Sequence, residues 1–216
     1  MGALASVDVD KHDVIVSRNP ATGEVLGEVR EASASAIRDV VSRARGAQAA
    51  WGALPVKERC TRVARFRDLI VARAEELCTL LSAETGKTRA ESLSMEVMVI
   101  ADLMTYFCKR APRILAPEPI SLHLLKNRGS YLHYQPRGVV GIISPWNFPF
   151  GIATGEMAMA LIAGNAVVLK PSEVTPLIAL KTKELYDAAG LPPDLFQVTP
   201  GRRRAGEDAV VDAAVD

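Results

Sequence analysis

The sequence predicts an α/β chain whose later part is a parallel βαβαβ sheet, preceded by a helical segment and a β-hairpin arm. Three observations predict it. After Pro136, three nearly continuous apolar runs, Val139-Val140-Gly141-Ile142-Ile143, Ala166-Val167-Val168-Leu169 and Leu195-Phe196-Gln197-Val198, recur at a spacing of about thirty residues, with helical segments at 155–163 and 176–189 between them. Before Pro112, apolar residues recur at three and four, the period of helices with one buried face. Between the two parts, Ile120, Leu122 and Leu124 alternate with polar residues up to Asn127-Arg128-Gly129, a hairpin signal whose return strand is 130–134.

Taken in order, Asn19-Pro20-Ala21-Thr22-Gly23-Glu24 is dense in turn formers and joins two strands, Val14-Ile15-Val16 and Val25-Leu26-Gly27-Glu28-Val29. From Ser35, the positions Ile37, Val40, Val41, Ala44, Ala47 and Trp51 make an amphipathic helix. Pro55 starts a second helix, with Val56, Cys60, Val63, Ile70, Leu77, Leu80 and Leu81 as its stripe, running to Gly86. Gly86-Lys87-Thr88 looks like the end of a phosphate loop, but Leu81 stands where that loop needs glycine and helix precedes it, so it reads as a helix stop. A third helix is expected over 88–111, its stripe Leu93, Val97, Ile100, Met104 and Phe107, and Pro112, Pro117 and Pro119 close the helical part. A lone hairpin after it is marginal in water, so it should pack or pair with something else.

Composition narrows the function. Of 216 residues, 49% are apolar and 24% charged, which describes a globular protein and excludes a disordered or collagenous one. Lys+Arg of 26 against Asp+Glu of 25 leaves a net charge of +1, too small to attract nucleic acid or an anionic membrane. Cys60, Cys78 and Cys108 are far apart in helix-like sequence, which fits neither a disulfide framework nor metal-ligand spacing. Small core residues in a reducing compartment are expected, and an apolar helix face raises a thiol pKa. The first residues lack a secretory signal, and the apolar stretch 148–169 is broken by Pro149, Gly151, Gly155, Gly164 and Asn165. A cytoplasmic location and no metal follow as expectations.

Ligands of parallel sheets sit beyond the carboxyl ends of the strands, so the segments after each strand carry the candidate chemistry. After the first comes Ser144-Pro145-Trp146-Asn147-Phe148-Pro149. Asn147, held between prolines and beside aromatics, is a rigid amide donor that could stabilise a carbonyl oxygen gaining negative charge, or a loop residue satisfying nearby backbone. After the second comes Lys170-Pro171-Ser172-Glu173. Lys170 and Glu173 could bond sugar hydroxyls, or form a surface ion pair at a helix start. The tail Val198-Thr199-Pro200-Gly201-Arg202-Arg203-Arg204-Ala205-Gly206-Glu207 is a glycine-bearing turn with three arginines, either attractive to phosphate or simply a solvated loop.

These segments resemble the aldehyde dehydrogenase superfamily: Asn19-Pro20-Ala21-Thr22-Gly23, Glu84-Thr85-Gly86-Lys87, the run from Gly138 through Pro149, and the run from Gly164 through Glu173, in family order over nearly the whole chain. The resemblance implies a Rossmann-like sheet and the NAD(P)-dependent oxidation of an aldehyde to a carboxylic acid. It makes Asn147 the side-chain oxyanion donor, gives Trp146 and Asn147 to the cofactor cleft, and has Lys170 and Glu173 bind the adenosine ribose with Pro171 and Ser172 shaping that wall. NAD is the expected cofactor, because Glu173 would repel a 2′-phosphate, with NADP the other option since Lys170 softens that charge.

The resemblance also implies a division into residues 1–117, an N-terminal hairpin and helices packing on the cofactor domain; 118–136, an oligomerisation-type hairpin; and 137–216, the first half of the NAD(P)-binding domain. Family members are much longer. The nucleophilic cysteine, the general-base glutamate and the glycine-serine turn that grips the pyrophosphate all belong to later segments, and none of the three cysteines lies in the family's cysteine context. The chain is therefore expected to be inactive alone and, at β-strand 139–143, to expose a sheet edge. The alternative is a non-catalytic half that binds a partner chain or intact homologous subunits. Expected partners are an aldehyde and either a homo-oligomer or a complementary half, with no nucleic acid and no membrane.

Overall fold

The computed structural model describes residues 14–203, and its first element is an antiparallel pair. Strand β1 (Val14–Arg18) pairs with β2 (Val25–Arg30), Ile15 opposite Val29. Asn19 shapes the turn between them, its Oδ1 accepting from Ala21 N at 2.9 Å and Thr22 N at 3.3 Å. Helix α1 (Ala34–Gly52) begins at Ser33, whose Oγ accepts from Ala36 N at 3.2 Å, and buries Ile37, Val41, Ala44 and Trp51 as the spacing predicts.

The helix expected from Pro55 to Gly86 is two. Helix α2 (Val56–Ala72) and helix α3 (Ala74–Thr85) separate at Arg73, φ −107° and ψ 19°. No glycine or proline marks the break. Its cause is tertiary: α2 lies against the neighbouring helices 98–114, 151–163 and 176–188, whereas α3 turns toward β1 and the last of these. Gly86, at φ 77°, ends α3, and Thr88 opens the next helix with a reciprocal capping box to Glu91.

The third expected helix also differs. Helix α4 (Arg89–Glu91) leads into a π-helical turn, Ser92–Val97, before α5 (Met98–Ile114). The wider turn rotates the faces, so Ser92 and Glu96 are fully buried while Leu93, expected in the stripe, is 39% exposed. Farther on, Ile100 and Met104 are buried as predicted. Pro112 does not end α5; it sits in the last turn, where only one carbonyl loses its donor.

The arm is shorter than expected. Strand β3 (Glu118–Pro119) pairs with β4 (Tyr131–Leu132), and residues 121–124 form no strand. With no third strand beside it among the described residues, the ladder has nothing to extend against, and Leu124, Leu125 and Tyr131 stand exposed.

The βαβαβ unit is as predicted. Strand β5 (Val139–Ile143), helix α6 (Gly151–Ala163), strand β6 (Ala166–Lys170), helix α7 (Pro176–Ala188) and strand β7 (Phe196–Val198) form a parallel sheet in the order β5-β6-β7. Helix α6 starts earlier than the expected residue 155, for a reason given below. Gly164, at φ 98°, closes α6, and Asn165 Oδ1 accepts from Arg137 N at 2.6 Å and Gly138 N at 3.0 Å. Its Nδ2 donates to Ala160 O at 3.2 Å, so one amide ties the start of β5 to the end of α6. Helix α1 packs across the sheet, and α6 and α7 lie between the sheet and the helices α2, α3 and α5. All five residues of β6 are buried, as a central strand covered on both faces requires.

The cysteines sit on α2, α3 and α5. Burial raises all three thiols, Cys108 to about 12, and Cys108 Sγ donates to Cys60 O at 3.5 Å. None is poised to attack anything. Among the described residues no helix is long and apolar enough to cross a membrane.

Candidate functional site

The register of the sheet brings the two candidate loops together. Ile143, the last residue of β5, pairs with Lys170, the last of β6, and Ser144 N donates to Lys170 O at 3.1 Å. The segment 145–149 therefore leaves the sheet beside the segment 171–175. Trp146 is 58% exposed, Asn147 is exposed next to it, and no side-chain hydrogen bond ties Asn147 to the other described residues. Its amide is left to take an outside partner.

On the neighbouring strand, Lys170 is 6% exposed. Its Nζ donates to Pro171 O at 2.9 Å and stands 3.7 Å from Glu173 Oε2, a loose pair with the carboxylate facing solvent. Pro171 and Ser172 are buried, and Ser172 Oγ accepts from Val174 N at 3.2 Å, which curls the segment into the start of α7. A nearly buried ammonium beside an exposed carboxylate, at the mouth of a parallel sheet, suits the vicinal hydroxyls of a ribose: one donor and one acceptor on one wall. Those residues fit a dinucleotide's sugar. After β7, Arg202 is held structurally, its N, Nη1 and Nη2 donating to Glu31 Oε1 at 2.6 Å, Glu31 Oε2 at 2.8 Å and Val14 O at 3.1 Å. Arg204, Ala205, Gly206 and Glu207 lie outside the described residues.

Three charged residues beneath the loops escaped sequence reasoning. Glu96, from the π-helical turn, is fully buried, and its Oε2 accepts from Phe150 N and Gly151 N, each at 2.9 Å. These are the first amides of α6, whose cap position, Phe150, has no side-chain acceptor of its own. Glu96 thereby starts the helix early. Its Oε1 pairs with the Lys87 ammonium, which lies 4.0 Å from the centroid of the Phe148 ring.

Glu84 does the same for α7. Its Oε1 accepts from Leu177 N and Ser17 Oγ, each at 2.8 Å, and its Oε2 from Ile178 N at 2.9 Å. Thr175 occupies the cap position, yet its buried hydroxyl has no hydrogen-bond partner among the described residues. Burial raises the Glu84 pKa, against which the donated hydrogen bonds pull it down. Glu84 and Lys87 were visible as parts of the motif Glu84-Thr85-Gly86-Lys87, but a local reading explains only the glycine. Glu96 carried no signal, because a reading of apolar periodicity passes over a carboxylate even where it stands three residues after Leu93 and four before Ile100.

Beside Phe148, helices α5 and α6 enclose a groove of about 340 Å³, its walls including Val99, Leu103, Phe107, Ile152 and Met159. Glu156 contributes its only ionisable side chain. Among the described residues no group of three or more His, Cys, Asp or Glu side chains is placed to hold a metal ion.

Comparison with known proteins identifies the family and fold. The model of the aldehyde dehydrogenase family matches residues 7–216. A protein of Mycobacterium ulcerans (strain Agy99), carried under a succinate-semialdehyde dehydrogenase [NADP(+)] name, is 37% identical over 211 residues, 97% of this chain and 40% of its own length. Among solved structures, PnpE from Pseudomonas sp. WBC-3 is 33% identical with a TM-score of 0.85 over 91% of this chain and 40% of its own. The NAD+ complex of an aldehyde dehydrogenase from Bacillus cereus is 32% identical with a TM-score of 0.85 and the same coverage. The chain thus spans about two fifths of the length of these relatives.

Proposed function

The chain belongs to the aldehyde dehydrogenase family, and on that premise we propose that it supplies the oxyanion donor and the adenosine-ribose wall of an NAD(P)-dependent oxidation of an aldehyde to its acid. The observation that carries the reading is the side-by-side exit of Asn147 and Lys170-Glu173 from paired parallel strands. Bound nicotinamide supplies the hydride acceptor. The Asn147 amide N–H would stabilise charge on the aldehyde oxygen, and no side-chain hydrogen bond to the other described residues engages it. Trp146 lines the cofactor cleft beside it. Lys170 and Glu173 would hold the ribose, Pro171 and Ser172 would keep that wall dry, and the Glu173 carboxylate would repel a 2′-phosphate, which favours NAD over NADP. The apolar groove between α5 and α6 takes the carbon chain of the aldehyde.

Neither the nucleophilic cysteine nor the general-base glutamate of the family has a counterpart in these 216 residues, since Cys60, Cys78 and Cys108 are helix-core thiols with raised pKa values. Turnover by these residues alone is not expected. In this reading residues 1–117, 118–136 and 137–216 are the helical cover, the assembly arm and the first part of a cofactor domain, acting in the cytoplasm. Titration calorimetry should detect NAD binding to the chain, with no NAD(P)H formed from any of a panel of aldehydes. Measurable turnover would overturn the proposed inactivity, and no binding would overturn the ribose assignment.

A second reading has its own support. Strand β5 pairs only with β6 among the described residues, Ile143 is 57% exposed, and the β3-β4 arm presents Leu124 and Leu125 to solvent. Such edges suit a non-catalytic half that pairs with a complementary chain or with homologous subunits. Co-expression with a polypeptide carrying the cysteine and glutamate should yield a stable, active complex; two chains that elute separately would count against it.

A further inference from the structure

We propose that Lys87 and Glu96 are a positioning pair for Asn147, holding the loop after β5 from beneath. The proposal rests on the oxyanion role of Asn147. Among the described residues the loop is tied to the other layers of the fold at its two ends, and Phe148 O accepts from Ile152 N at 3.1 Å within the first turn of α6. At its start, Ser144 N donates to Lys170 O at 3.1 Å; at its end, Phe150 N and Gly151 N donate to Glu96 Oε2 at 2.9 Å. Five residues, 145–149, span the gap, and Pro145 and Pro149 limit their freedom at either end. Lys87 closes the arrangement by neutralising Glu96 on one side and covering the Phe148 ring on the other. Asn147 is adjacent in sequence to the residue carrying that ring and, among the described residues, has no side-chain hydrogen bond to hold it. Its direction is inherited from the residues around it.

Two features show that this is more than an ordinary helix cap. A helix start is usually capped from its own sequence by Ser, Thr, Asp or Asn, whereas here the acceptor comes from 54 residues away. The carboxylate is presented from the π-helical turn Ser92–Val97, in which Ser92 and Glu96 are buried while Leu93 stays at the surface. Such turns are strained insertions that concentrate at functional positions. The arrangement links the α3–α5 layer to the donor loop through one buried ion pair, and a buried charge of this kind is tolerated only when fully bonded, as Glu96 is.

Trp146 lies on the loop and is 58% exposed, whereas Trp51 is 1% exposed, so fast tryptophan depolarisation reports the loop alone. Time-resolved anisotropy and amide hydrogen exchange should be measured on the intact chain under native conditions. In Glu96→Gln and Lys87→Met, the fast-depolarising fraction should rise at least about twofold and exchange of the Phe150 and Gly151 amides should quicken about tenfold or more. The Leu177 and Ile178 amides, held by Glu84, should keep their rates. Lys87→Arg should restore the parent values, and Glu84→Gln should show the opposite pattern, leaving Trp146 unchanged. A merely structural pair would lower the unfolding midpoint without changing native-state depolarisation, and that result overturns the proposal. So does acceleration spread equally over both helix starts. Should Glu96→Gln not fold, Lys87→Met decides alone. No substrate enters this measurement, so it reports whether the pair holds the loop, and a failure of the oxyanion role of Asn147, read from the activity of the co-expressed complex, is distinguishable from it.

Discussion

The loop after β5 and the loop after β6 leave the same sheet side by side, yet they are held in different ways. Strand β6 is central and buried along its whole length, so its exit is already dry: Pro171 and Ser172 are buried and Lys170 is confined to one direction. Strand β5 has a neighbour on one side only among the described residues, only Val139 and Ile142 of its five residues are buried, and the loop that follows is exposed at Trp146 and Asn147. Burial fixes the ribose wall; distant anchors must fix the donor loop. The difference explains why a charged pair from another layer sits under one loop, whereas the other needs only a carboxylate at its far end.

Several substitutions would break or sharpen that contrast. The largest effect should come from the strands themselves. Leu169→Ala, at a residue 1% exposed in β6, should cost about 2–5 kcal/mol of stability. Ile143→Ala, at a residue 57% exposed on β5, should cost less than about 0.5 kcal/mol. Chemical denaturation measures both, and equal losses would mean that β5 is not an edge. Next comes the amide that joins the two strands' ends. Asn165→Ala leaves Arg137 N and Gly138 N without their acceptor and should cost about 1–3 kcal/mol by the same measurement.

The loops themselves should separate by ligand. Lys170→Ala should weaken NAD binding about tenfold or more, a loss of about 1.4 kcal/mol, while Asn147→Ala leaves the calorimetric Kd within about twofold. Matched losses would erase the division of labour between wall and donor. The smallest effect concerns the thiols beneath. Burial raises them, Cys108 from an ordinary 9.0 to about 12, so the fold favours the protonated form. That contribution to stability is fully present below about pH 9 and is lost as pH rises through about 12, because unfolded thiols ionise first. Denaturation midpoints should show no thiol dependence near neutral pH, and Cys108→Ala should flatten their decline between about pH 9 and 12. A thiol that reacts quickly with an alkylating reagent in the native chain near neutral pH would contradict this.

Much of the molecule was legible along the chain, and the misses have a common cause. Short, nearly continuous apolar runs between turn residues mark the strands of a parallel sheet, so β5, β6 and β7 could be read directly from Val139, Ala166 and Leu195 onward. Helix α1 showed its face through Ile37, Val41, Ala44 and Trp51 because a 3.6-residue period has one solution when the helix is regular. The break at Arg73, the exposure of Leu93 and the passage of α5 through Pro112 were not legible, since each depends on what lies across the interface. The arm illustrates the same rule: Leu122 and Leu124 alternate like a strand, but alternation is a capacity to pair, and no third strand is there among the described residues.

By itself, the sequence determined the strands of the parallel sheet and the helices between them, and therefore that the segments carrying Asn147, Lys170 and Glu173 would leave the same end of it. Periodicity and right-handed crossovers suffice for that, because both are local or nearly so. Only the tertiary structure decided how those residues are held. Glu84 and Glu96 reach helix starts 93 and 54 residues away, and no pattern in the chain announces a bond between groups so far apart. Their partners are backbone amides, which every residue carries, so it is burial and distance in space, and nothing in the side-chain sequence, that selects Phe150, Gly151, Leu177 and Ile178 as donors.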